Sequence, residues 1–137
     1  MHILTYFKEK LYAKRKKKSG ISFPISCKVF GVKMGNRQSL LAQSRAGDKL
    51  QIVNPKDPAY AHRVFVYSVP LNCILGCVEQ ELADKLIQLF GKGFCRDGDI
   101  TKITGGAPYK YYGCVIRILE SREFMKGWKN FSSLHGA

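Results

Sequence analysis

The sequence predicts a mainly β domain of the α+β kind: about six short strands in a small antiparallel barrel or sheet, with one helix packed on it and a basic helix in front. Three observations carry this. Segments rich in Val, Ile, Phe and Tyr crowd before and after a single strongly periodic helical stretch instead of alternating with helices, which excludes a doubly wound fold. Clusters of Gly, Pro, Asn and Asp punctuate those segments at short intervals. The 137 residues, 45% of them hydrophobic, supply one core and hence one domain.

Taken in order, residues 3–18 read as a helix: Ile3, Leu4, Phe7 and Leu11 share a face, and cations fill the end, where they complement the helix dipole. Ser19-Gly20 stops it. Residues 23–30 form a first strand, ending near Gly31 or Lys33, and Gly35-Asn36 is a turn. Residues 37–46 read as loop or a single helical turn. After a turn at Gly47-Asp48, residues 49–53 alternate as a strand. Pro55, Asp57 and Pro58 make 54–61 a loop. Residues 62–69 are β-prone through Val64, Phe65 and Val66, Pro70-Leu71-Asn72 turns the chain, and 73–77 is a short buried strand. Residues 78–90 carry Leu82, Ala83, Leu86, Ile87, Leu89 and Phe90 at helical spacing, ended by Gly91 or Gly93. Arg96-Asp97-Gly98-Asp99 reads as a loop, 100–104 as a strand, 105–108 as a break and 111–119 as the last strand. The expected organisation is a basic arm (1–20), a body (21–121) and a loosely held tail (122–137), from which Trp128 and Phe131 are the residues to dock.

Charge is the unusual property. Twenty-three Lys+Arg against ten Asp+Glu give +13. Residues 1–20 hold seven of the cations and a single acid. Such a domain repels itself, and an acidic polymer is the natural partner. The run Lys14-Arg15-Lys16-Lys17-Lys18 would release counterions from a phosphate backbone without regard to sequence. A second constellation interleaves rings and bases: Tyr109, Lys110, Tyr111 and Tyr112 with Tyr60, His62 and Arg63. Exposed rings stack on unpaired bases while cations follow the phosphates. Strand alternation puts Tyr109 and Tyr111 on one side and Lys110 and Tyr112 on the other.

Other chemistries are poorly served. The five cysteines are an odd number without an export signal, which suggests reduced thiols in an intracellular, cytoplasmic setting. Cys73 and Cys77 have a zinc-like spacing, but in a strand they would share an apolar face, and no second pair completes a site. No cofactor or metal is expected. The glycine-rich stretches lack phosphate-loop spacing, Asp97 and Asp99 read as turn residues, and the eight acids of the body are spread too widely for a nuclease. No run of about 18 apolar residues spans a bilayer. The expected function is non-catalytic binding of single-stranded DNA or DNA ends. The alternative is a membrane-surface or protein-recruitment module using residues 3–18 as an amphipathic helix.

Between residues 23 and 119 the chain resembles the HIRAN domain family, a module of DNA-repair helicase-translocases. The matching features come in order: Gly31 followed by Asn36-Arg37-Gln38, then Gly47-Asp48-Lys49-Leu50, then Asp57-Pro58 before Arg63-Val64-Phe65-Val66. Leu75-Gly76-Cys77 leads into Glu81-Leu82-Ala83-Asp84-Lys85-Leu86, and Ile103-Thr104-Gly105-Gly106 closes the series. The resemblance implies an OB-like barrel with one helix that binds single-stranded DNA, its free 3′ end in a pocket, with a helicase or nuclease as protein partner. Pockets of this family use a basic-aromatic pair and an Asn-Pro-Tyr-Asp loop. Here Lys33 and Met34 occupy the pair, and the loop reads Asp57-Pro58-Ala59-Tyr60. Charge is kept, but the planar fork of Arg is not. Arg37 adds charge beside that loop.

Overall fold

The computed structural model describes residues 3–106, 108 and 111–121. Helix α1 (Ile3–Ser19) precedes β1 (Ile25–Lys28), α2 (Arg37–Ala42), β2 (Lys49–Val53), β3 (Phe65–Ser68), β4 (Cys73–Cys77), α3 (Gln80–Phe90), β5 (Cys95–Gly105) and β6 (Tyr112–Ile118). The strands form one antiparallel sheet in the order β1-β6-β5-β2-β3-β4. The sheet curls into a half-barrel because the chain just after β1 crosses to the far edge. Phe30 N–H donates to the Cys77 carbonyl at 2.8 Å, and Cys77 N–H donates to the Phe30 carbonyl at 2.9 Å. Gly76 lies at this seam, where a Cβ would collide with the Phe30 carbonyl and the Val29 side chain. Only glycine permits that approach.

Alternation decides which side chains face inward. Leu50 and Ile52 of β2, Val66 of β3, Ile100 of β5 and Ile116 and Ile118 of β6 meet the Leu86 and Ala83 stripe of α3 and Leu41 of α2 in one core. Helix α3 begins where the Glu79 carboxylate accepts the Glu81 N–H, and it ends at Gly91, whose φ of 90° suits glycine.

Two expectations need correction. Residues 96–99 are no loop: they belong to β5, paired on one side with β2 and on the other, through Gly98 and Asp99, with β6. The charge that suggested a turn is neutralised across the sheet, where Arg117 lies opposite Asp99 and its Nη2 donates to the carboxylate at 2.6 Å. Cys73 and Cys77 also do not share a face. Val66 pairs with Gly76 but Tyr67 with Ile74, so β4 bulges at Leu75. Cys73 packs against the core and reaches the rim of one surface concavity, while Cys77, outside that core, opens onto another. The predicted docking of Trp128 and Phe131 lies outside the described residues.

Helix α1 is not a free arm. The Tyr12 ring stacks on Phe90 of α3 at 5.9 Å, and its hydroxyl donates to Glu120 at 2.5 Å. The Lys16 ammonium sits 2.9 Å from the same carboxylate. These contacts hold the Glu120 carboxyl below its ordinary range, the Tyr12 hydrogen bond foremost. Burial and the same bond push the Tyr12 hydroxyl well up. The side of α1 that meets the body is therefore Tyr12, Lys16 and Ser19, while Phe7 and Leu11 stay 55% and 51% exposed.

Candidate nucleic-acid interface

Between the turn after β1, the loop after β2 and the outer side of β3 and β4 lies a cavity of about 380 Å³. Its chemistry is mixed. Arg37 and Arg63 bring cations, Asp57 a carboxylate, Tyr60 and Phe65 rings, and Met34, Ile74 and Cys77 soft apolar surface. Met34, Arg37 and Ile74 also border a second concavity of about 550 Å³ that continues past Asn36 and Asn72. Together they make an extended, part-apolar, part-cationic trough.

The loop wall is built by local hydrogen bonds. The Asp57 carboxylate accepts the Ala59 N–H at 2.9 Å and so starts the single 3-10 turn Pro58–Tyr60. That turn sets Tyr60 edge-on to Phe65, with ring centroids 5.7 Å apart, while leaving Tyr60 49% exposed. Beneath it sits Asn54, almost wholly buried. Its amide donates to the carbonyls of Ala61 at 3.0 Å and Arg63 at 2.7 Å, and its oxygen accepts the Gly93 N–H at 2.7 Å. One side chain thus clamps both ends of the wall to the chain after α3.

The opposite wall depends on Arg37, whose Nη1 donates to the Gly31 carbonyl at 2.8 Å. Gly31 has φ of 71°, and a Cβ there would stand 3.0 Å from that nitrogen. Glycine therefore lets the turn fold back on Arg37. Gln38 fixes the same turn to β6: its amide donates to the carbonyls of Val32 and Tyr112, and its oxygen accepts the Tyr112 N–H at 2.8 Å.

The predicted residues are partly brought together. Arg37, Asp57, Tyr60 and Arg63 line one cavity. Lys33 does not line it; its ammonium lies 3.8 Å from the centroid of the Tyr111 ring, a cation–π pair beside the trough. His62 is exposed, and its carbonyl accepts from Gln80. Tyr109 and Lys110 lie outside the described residues. Lys14, Arg15, Lys17 and Lys18 are exposed along α1, whereas Lys16 is turned to Glu120. Sequence reasoning missed Phe65, Ile74 and Asn54. Phe65 was findable, since Val64 and Val66 point inward and alternation sends Phe65 out.

Among the described residues, no three His, Cys, Asp or Glu side chains gather as a metal site. Burial pushes the Cys27 thiol up to about 11 and the Cys114 thiol to about 12. Neither is poised as a thiolate nucleophile. No family model, curated protein or solved structure matches the chain.

Proposed function

We propose that this protein binds single-stranded nucleic acid, with a strand end seated in the cavity between Arg37, Tyr60 and Arg63, and that it acts by binding and not by catalysis. The observation that carries this is the meeting of two guanidinium groups and an exposed, propped tyrosine ring over one apolar-floored cavity on a strongly cationic chain. The ring offers a stacking surface worth about 1–3 kcal/mol per base, and the guanidinium groups reach phosphate or base edges. The HIRAN-like order of motifs supports the same reading, with Tyr60 and Phe65 supplying rings near the family's aromatic position, held here by Met34. Single-stranded DNA is the favoured partner, in company with a helicase or nuclease.

The test is a fluorescence-anisotropy titration with single-stranded oligonucleotides carrying a free or a blocked 3′ end, beside duplex controls. Tighter binding of single strands is expected, with a penalty for blocking the end. Equal affinity for duplex and single strand would remove the role of the ring, and absence of binding at low salt would end the proposal.

A second reading has one specific observation behind it. Phe7 and Leu11 point away from the body while cations follow on the same helix, which suits an anionic lipid surface. Flotation with anionic vesicles, with and without residues 1–20, tests it. Loss of flotation on deletion, with oligonucleotide affinity unchanged, would favour the membrane.

A further inference from the structure

The docking of α1 creates a groove that the cavity does not include. We propose that this groove, between α1 and α3, is a second anchoring point for the phosphate backbone of the same strand, formed by Arg15, Lys18 and Lys85; the proposal rests on the nucleic-acid reading above.

The groove measures about 380 Å³ and is lined by Arg15, Lys18 and Ser19 from one helix and Lys85, Gln88 and Leu89 from the other. Cations from two separate elements face one concavity whose lining holds no acid. Among the described residues no carboxylate pairs with any of the three. Their placement is a consequence of how α1 docks. Tyr12 on Phe90 and Lys16 on Glu120 set the rotation of the helix. Arg15 and Lys18, three residues apart, then rise together on the flank that overlooks α3. The Glu120 carboxylate is taken up by Tyr12 and Lys16.

Helix α3, which bears Lys85, leads on in sequence toward the loop of the cavity. The chain after α3 returns to the cavity's loop, where Gly93 N–H bonds Asn54 and the Lys56 side chain lies over Gly93, 3.2 Å from where a Cβ would stand. Lys56 and Lys92 are both exposed at this crossing. The strand path of this proposal runs from Arg63 past Lys56 and Lys92 to Lys85, Lys18 and Arg15. Among the described residues, neither Glu81, one turn before Lys85 on α3, nor Asp84, which accepts a bond from Gln80 at 2.8 Å, forms an ion pair with Lys85. The groove and the cavity share no lining residue, so the second anchor predicts that a short oligonucleotide held in the cavity misses the groove and a longer one reaches it.

The experiment is anisotropy on the full chain with single strands of about 4 and about 16 nucleotides, spanning the usual site sizes of such barrels. Lys85→Gln is compared with Lys28→Gln, which removes one exposed cation on β1. Losing one phosphate contact predicts about fivefold weaker binding of the long strand near 0.1 M salt and a salt slope shallower by about 0.7. Lys28→Gln should change the long strand far less, and the short strand should not distinguish the two variants. If both variants affect the long strand alike, or if Lys85→Gln weakens the short strand as much as the long, the second anchor is overturned while the cavity reading stands. If the unmodified protein binds neither strand, both fall.

Discussion

Asn54 shows how much one side chain can organise. It spends its donors and its acceptor on three backbone groups lying 7, 9 and 39 residues away. Asn54→Ala removes all three partners at a buried position, and each orphaned buried group costs about 1–3 kcal/mol. Denaturant unfolding should show a loss of at least that size, and oligonucleotide affinity should fall as the Tyr60 wall loosens. Tyr60 itself is separable from stability, because its ring is half exposed. Tyr60→Ala should leave the unfolding midpoint nearly unchanged and weaken single-strand binding about tenfold, the weight of one stacked base; Tyr60→Phe should retain most of it. In native protein at pH 8, alkylation should spare half-buried Cys27 and buried Cys114, whose thiols desolvation holds protonated. Mass mapping of the labelled sites checks this. None of Asn54's role is legible from sequence, where it reads as the first loop residue before Pro55, because its partners are backbone groups assembled by the fold.

At the scale of elements, the docking of α1 has a pH window. Glu120 is depressed by its partners, so its share is present above the ordinary value of 4.5 and drains away as pH falls through the lowered one. Tyr12 is raised, so its share is complete below 10.0 and is lost as alkali climbs toward the raised value. Hydrogen-exchange protection along α1, taken relative to the intrinsic rate at each pH, should therefore be greatest between these limits and fall on both sides, and Glu120→Gln should flatten the acid limb. Most elements were legible because periodicity and turn residues agreed, as in β2, β4, α3 and β6. The failures share a cause. In β5, Arg96 to Asp99 look like a turn until Arg117, eighteen residues on, supplies the opposing charge. In α1 the sequence reads as a basic arm apart from the body, yet Tyr12 and Lys16 dock on it, because Phe90 and Glu120 offer them partners that no local pattern announces. The candidate site followed the same rule. Arg37, Asp57, Tyr60 and Arg63 were legible as residue types near one loop, whereas Lys85 was read for its helix and the family resemblance and not as a candidate contact.

For the whole molecule, affinity should be governed by salt. A logarithmic plot of affinity against salt should fall with a slope of about 0.7 per phosphate contacted on single strands, and deleting residues 1–20 should make it shallower. The cavity also has a mechanical position. One lip follows β1, at Met34 and Arg37; the other belongs to β3 and β4, at Phe65, Ile74 and Cys77. These are opposite margins of one curled sheet, joined beside the cavity by the reciprocal bonds of Phe30 and Cys77. A guest gripping both lips would act as a clasp on an otherwise slender join, so occupancy and closure become a single equilibrium. The backbone protons of that join should then exchange more slowly in proportion to ligand saturation, reporting on binding from within the barrel wall.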